Sequence, residues 1–362
     1  MGESMKEKNH FIQFKKLKEL LILFLFLGFI CLLVFSPDLC YEGIAKGILL
    51  CGRVVIPSLF PFSVCVLVVI KSGVLKYFEF LNRFTTRLFS LSAEMFFIML
   101  LSFIGGYPLG AKLLNEAVKE NKISSKTGSI MLNFCINAGP AFIISAVGIR
   151  ILNSKNLGII LFSAHILSSL IICFICRFKM RNEKIIIKTE KTNKTMPFTE
   201  NFVLSAQEAA SAVFTICTFV ILFSCIGAYI NPFKYLKIFS FLLEVTNAVT
   251  LTRNIYVTAF LLGFSGVCIW FQVFSVGNRL EIKILPFIFF RLLHALFSSA
   301  LTFILLKVFN VTIPTLSNNI AFTNKLLYST PAVAISLLAM CIVLIISLTQ
   351  KKYTGKILED MV

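Results

Sequence analysis

Long uncharged apolar runs alternate with short basic gaps along this chain, and that alternation predicts a bundle of membrane-crossing helices. Eight runs approach the roughly twenty residues needed to span a bilayer: 20–37, 48–70, 127–149, 156–176, 209–232, 254–278, 284–306 and 326–350. The seventh carries Arg291 and His294 and is the weakest by hydropathy. The first follows Lys6, Lys8, Lys15, Lys16 and Lys18. Its apolar run exceeds a usual signal-peptide core and no small-x-small site follows it cleanly, so it reads as a retained helix.

Two further apolar segments are broken in the middle. Residues 91–114 contain Gly105, Gly106, Pro108 and Gly110, and residues 238–251 contain Glu244 and Asn247. A break frees backbone groups that lipid cannot satisfy, so such a segment belongs inside protein or against a water-filled cavity. Both are predicted re-entrant hairpins. Charge tests this reading, because each crossing moves the next loop to the other side and a hairpin does not. With two hairpins and eight crossings, the basic N-terminus, Lys71 to Arg87, Lys119 to Lys126, the loop 177–194, Arg279 with Lys283, and Lys351 to Lys356 all fall in the cytoplasm. The short stretch with Asp38 and Glu42 becomes an outside loop, and both termini are cytoplasmic. Turning either hairpin into a crossing places a dense basic cluster outside.

Under that count, 48–176 reads helix, hairpin, interrupted helix, helix, and 209–306 reads the same in reversed orientation, an inverted-topology repeat. A faint echo accompanies it: His165-Ile-Leu-Ser168-Ser169 in one half and His294-Ala-Leu-Phe-Ser298-Ser299 in the other. The chain divides accordingly into a basic N-terminus and first helix (1–42), a first repeat (43–177), a basic linker (178–205), a second, inverted repeat (206–308), and an outer loop, last helix and basic tail (309–362).

Composition agrees with embedding in lipid. Apolar residues make up 57% of the chain and charged ones 14%, and 39 Phe stand against a single Trp, which suits a hydrocarbon surface because Phe has no polar atom to satisfy. A net charge of +18 would suggest nucleic acid in a soluble protein, but these charges sit in the gaps between apolar runs, as cytoplasmic loops require. No nucleic-acid partner is expected; the 177–199 loop reads as a solvated cytoplasmic connector, with contact to anionic lipid as the alternative role. The odd number of Cys, 11, lies largely within apolar runs and reads as small buried hydrophobes. Cys173 and Cys176 form a CxxC without the context of a redox or zinc site.

In an inverted-repeat membrane protein the site is expected at the midplane, where interrupted helices meet. Four segments qualify: 105–110, 133–140, 244–247 and 263–272. Asn133 and Asn137, four apart, would share a helix face and present two amides, with interhelical hydrogen bonding as the alternative. Glu244 is an intramembrane carboxylate, hence a cation ligand or proton carrier, with an edge pairing to Arg253 as the alternative; Glu94 is the other acid at depth. His165 and His294 read as interhelical hydrogen-bonding groups or relay groups. The candidate solute-binding set is Gly106, Tyr107, Pro108, Asn133, Asn137, Gly139, Glu244, Thr246 and Asn247. Residues 105–112 miss the phosphate-loop pattern, and no HExxH or GxSxG occurs. Only Asp38 and Asp360 are aspartates, so paired-aspartate magnesium chemistry has no ligands. No catalytic residue, cofactor or metal is expected.

At Val54-Val-Ile-Pro57-Ser-Leu-Phe-Pro61-Phe62, Gly106-Tyr107-Pro108-Leu-Gly110-Ala-Lys112 and Asn133-Phe-Cys-Ile-Asn137-Ala-Gly139-Pro140-Ala-Phe142-Ile, the chain resembles the YlbJ-type sporulation integral membrane proteins of the nucleoside-recognition, or Gate-domain, family. The likeness runs from about Gly43 to Leu306. It implies a role in spore formation in the cell membrane of an endospore-forming bacterium, and it supplies no substrate. The expectation is an all-α polytopic membrane protein that moves a small polar solute, nucleoside-like by resemblance alone, with a coupling cation. The rival is a non-transporting scaffold for spore cortex or coat assembly. Expected partners are membrane lipid, the solute and cation, and a second copy or other sporulation membrane proteins.

Overall fold

Proline and small polar residues set the helix boundaries. A computed structural model describes residues 16, 19–21, 23–24, 26–180, 197–233, 237–252 and 254–311, and every regular element among them is helical. Helix α1 (Glu19–Phe35) ends one residue before α2 (Pro37–Lys71) begins. Pro37 opens α2 because the first helical N–H needs no partner, and Asp38 follows in the first turn, where the helix dipole favours an acid. The predicted outside loop with Asp38 and Glu42 is therefore the start of a helix, and only Ser36 separates the two elements.

Within α2, residues Cys51–Val55 wind as a π-helical turn. Pro57 offers no N–H to the Arg53 carbonyl four residues back, and Arg150 Nη1 donates to that carbonyl at 2.9 Å. The chain then passes a short 3-10 segment (Val74–Leu81) and α3 (Asn82–Phe89) before turning by 81° into α4 (Ala93–Gly105). The Ser92 hydroxyl caps α4 by accepting from the Met95 N–H. After Gly106-Tyr107-Pro108, α5 (Leu109–Lys119) packs back along α4. The Glu94–Lys122 ion pair, 2.8 Å, joins the two ends of this fold-back.

Helix α6 (Ser125–Cys135), capped by Ser124, stops short of residues 136–139, and α7 (Ala141–Ile151) continues beyond them as a π-helix. The predicted crossing at 127–149 is thus interrupted, because Pro140 disfavours helical geometry at Gly139. Helix α8 (Lys155–Met180) follows, then α9 (Phe198–Ile230), the short pair α10 (Lys237–Leu243) and α11 (Val245–Leu251), the broken pair α12 (Ile255–Phe264) and α13 (Gly266–Val276), and α14 (Ile284–Val308). The predicted crossing at 326–350, the basic tail, most of the 177–194 linker and Arg253 lie outside the described residues.

Among the described residues, five helices are long and apolar enough to cross a membrane: α2, α8, α9, the α12–α13 unit and α14. A sixth results if the bent 77–105 pair counts as one. Their outer faces carry Phe178, Leu285 and Phe289, exposed at 67%, 80% and 59%, which in water would be an aggregation surface and in lipid is solvation. Helices α2 and α9 run antiparallel: Gly43 meets Cys225, Gly47 meets Ile221, Cys51 Sγ donates to the Cys217 carbonyl, and Lys71 pairs with Glu208 at 2.6 Å. A Cβ on Gly43 or Gly47 would lie 2.6 or 2.7 Å from a backbone Cα of α9, the close approach that small residues four apart permit between membrane helices.

Candidate functional site

Each helix break leaves carbonyls and N–H groups without intrahelical partners, and lipid supplies none. The C-terminal carbonyls of α6 are met by side chains from other helices. Arg291 on α14 donates from Nη1 to the Ile136 carbonyl at 2.7 Å and from Nη2 to that of Asn133. Ser169 on α8 donates to the Phe134 carbonyl at 2.6 Å, and Asn137 Nδ2 donates to the same atom at 2.8 Å. On the far side of the break, the Ala138 N–H donates to His165 Nε2 at 3.0 Å. In the α12–α13 break, Trp270 Nε1 donates to the Phe264 carbonyl at 3.1 Å.

The four interrupted segments converge. Gly106, at φ +73°, lies against Gly139, so the α4–α5 and α6–α7 breaks touch; Gly266, at φ +80°, lies against the backbone of Leu243 and Val245, so the α10–α11 and α12–α13 breaks touch. Between these two contacts lies a cavity of about 30 Å3, lined by Ser58, Tyr107, Gly139, Glu244 and Thr246 with apolar residues of α2, α9 and α13. Such a volume holds a water or two. Glu244 is 2% exposed and its Oε1 accepts from the Thr246 N–H at 2.8 Å. Tyr107 is buried and its hydroxyl has no partner among the described residues.

Of the candidate residues, Tyr107, Gly139, Glu244 and Thr246 line this cavity and Gly106 forms its backbone support. Pro108 follows Tyr107 through a cis peptide and caps α5, and Asn247 falls in α11. The shared face expected for Asn133 and Asn137 is not formed, because α6 ends between them at Cys135. Asn133 instead lines a different cavity near the start of α14, while Asn137 is fully buried against the Phe134 carbonyl. Glu94 is half-buried in the first turn of α4 and pairs with Lys122. Cys31 and Cys65 face outward, whereas Cys135, Cys173 and Cys176 are buried.

Sequence reading missed Arg291, noting it only as a blemish in an apolar run. Its capping contact is invisible in a linear sequence, since the guanidinium belongs to α14 and the terminus it caps to α6. Its neighbours His165 and His294 face each other with ring centroids 4.5 Å apart, and His294 Nε2 hydrogen-bonds to the His165 carbonyl at 3.0 Å. Read as neutral imidazoles, the pair has one tautomer each: His165 protonated on Nδ1 and His294 on Nε2. This pair joins α8 to α14, as the interhelical alternative in the sequence expects.

The fold and site define a polytopic α-helical membrane protein in which interrupted helices surround a buried polar centre. The chain is 24% identical to the sporulation integral membrane protein YlbJ of Bacillus subtilis (strain 168), over 81% of this chain and 84% of that protein. That extent of similarity supports a YlbJ-type family for it. No family model matches the chain, and no solved structure matches it.

Proposed function

We propose that this protein is a sporulation membrane transporter whose path for a small polar solute runs between the two pairs of touching breaks. The observation that carries the reading is the meeting of Tyr107 from one fold-back and Glu244 from the other in a single interior cavity. Burying a carboxylate, a guanidinium and two imidazoles at membrane depth is costly, and such groups mark solute and ion pathways. Helix α4, at 13 residues, reaches about 20 Å, short of a hydrocarbon core of about 30 Å. Its return through α5 to the Glu94–Lys122 pair favours a re-entrant hairpin, and α10–α11 is the matching one in an inverted repeat. With the terminal runs, eight crossings and cytoplasmic termini follow from the placement of basic residues. The nucleoside-recognition, or Gate, resemblance suggests a nucleoside-like solute.

The alternative is a scaffold that moves nothing, and the small volume of the cavity favours it, since a nucleoside does not fit without movement of the helices. Proteoliposome uptake of a nucleoside panel separates the two readings. Glu244→Gln and Tyr107→Phe, both at residues that line the cavity, are expected to lower uptake at least tenfold while the protein still inserts and purifies normally. Undiminished uptake in both variants overturns the site. Absence of uptake by the wild type, together with full rescue of sporulation by Glu244→Gln, leaves the scaffold.

A further inference from the structure

A second cavity, of about 520 Å3, opens at the end of the bundle where α6 and α14 begin and α8 ends. It shares no lining residue with the cavity at Glu244, so its role is independent of the solute path. Three exposed lysines border it, Lys126 at the start of α6, Lys179 at the end of α8 and Lys283 just before α14, against one acid, Glu281. Its lining is mixed, with Asn133 as well as Phe287 and Phe290. Its volume falls in the range of small-molecule sites, about 300–1,000 Å3.

Lysines arranged around a polar hollow are point-charge binders of phosphate. The surface around them selects the carrier of that phosphate. The first turns of α14 display Ile284, Leu285 and Phe289, 62%, 80% and 59% exposed, directly beside the basic rim. A soluble anion has no use for such a surface, whereas a lipid needs both parts, a headgroup site and an adjoining track for acyl chains. We propose that this cavity holds the phosphate-bearing headgroup of an anionic phospholipid, with the phosphate between Lys126, Lys179 and Lys283 and the chains lying along Leu285 and Phe289. Glu281 opposes the bound charge and sets the affinity below what three lysines alone would give.

The chain contains its own reporter. Its single tryptophan, Trp270, packs edge-on against Phe287 in the cavity wall, with ring centroids 5.8 Å apart at 88°. Emission from Trp270 in the detergent-purified full chain is followed during titration with dioctanoyl phosphatidylglycerol, dioctanoyl phosphatidylcholine and sodium phosphate. Phosphatidylglycerol is expected to give a saturable change that added salt weakens, and the zwitterionic lipid none. At about 1 kcal/mol per basic residue, Lys179→Gln and Lys283→Gln each weaken binding about fivefold and together about 25-fold. Glu281→Gln tightens it, a gain that a misfolded variant cannot imitate. Equal responses to the two lipids, an unmoved midpoint in the double lysine variant, or weaker binding by Glu281→Gln overturns the proposal. Sodium phosphate alone, saturating as tightly as the anionic lipid and with the same lysine dependence, overturns the lipid assignment in favour of a soluble phosphate.

Discussion

Arg291 is a fully buried cation whose hydrogen-bond acceptors are two backbone carbonyls at the end of α6, with the Phe287 ring 6.0 Å from its guanidinium, and no carboxylate lies within ion-pair distance of it among the described residues. This leads to an inverted expectation for two substitutions. Arg291→Lys keeps the charge, but one ammonium cannot reproduce the guanidinium fork, so at least one hydrogen bond to a charged group is lost, worth about 1.5–3 kcal/mol. The ammonium is also more strongly hydrated than the guanidinium, which adds to the cost of holding it in a dry site. Arg291→Met leaves both carbonyls unpaired, at about 1–3 kcal/mol each, but it removes an ion whose dehydration alone costs several kcal/mol. The Lys variant is therefore expected to be the less stable, by about 3 kcal/mol or more relative to wild type, with the Met variant losing about 2 kcal/mol or less. At roughly 2 °C per kcal/mol for a chain of this size, the Lys variant melts about 6 °C lower. Melting in detergent is read with a fluorogenic maleimide, because Cys135, Cys173 and Cys176 are at most 1% exposed and become reactive only as this region opens. A Lys variant as stable as wild type beside a collapsed Met variant would show that charge, not the forked capping of α6, is what the site requires.

The α2–α9 seam is tested by Gly47→Val, whose Cβ would sit 2.7 Å from the Ile221 Cα; overpacking of this kind costs about 1–3 kcal/mol and is read as a lower melting temperature. Gly110→Ala drives a methyl into the Cys135 carbonyl oxygen, so α5 must move off the end of α6; a variant that melts like wild type would refute that close approach. The Glu94–Lys122 link has a pH signature. Partial burial lowers the Lys122 pKa, but hydrogen bonds to Glu120 and Glu94 outweigh it and leave the value raised. A raised folded-state value means the link stabilises fully below the ordinary lysine range and is lost as pH rises through the raised value. Glu94→Gln should accordingly cost under about 1 kcal/mol near neutrality, and its melting curve should merge with the wild type's in strong alkali.

Membrane embedding was legible from composition and run length alone, because lipid imposes the same requirement on every crossing residue. The breaks after Gly105 and at Glu244 were legible from Gly106, Pro108 and Glu244, since residues that interrupt a helix leave a local signature. Helix ends were less so: Asp38 and Glu42 looked like loop polarity, and only the Pro37 start shows Asp38 as an acid on a positive helix terminus and Glu42 as a residue within the helix. The Asn133 and Asn137 pairing failed for a related reason. Spacing assigns a shared face only while the helix continues, and Pro140 together with the Arg291 and Ser169 donors makes it end at Cys135. Which breaks touch, and that α14 supplies a guanidinium to α6, was decided by tertiary structure. The guanidinium contacts join residues more than 150 positions apart, and what selects them is the need of orphaned backbone groups for a partner where there is no water.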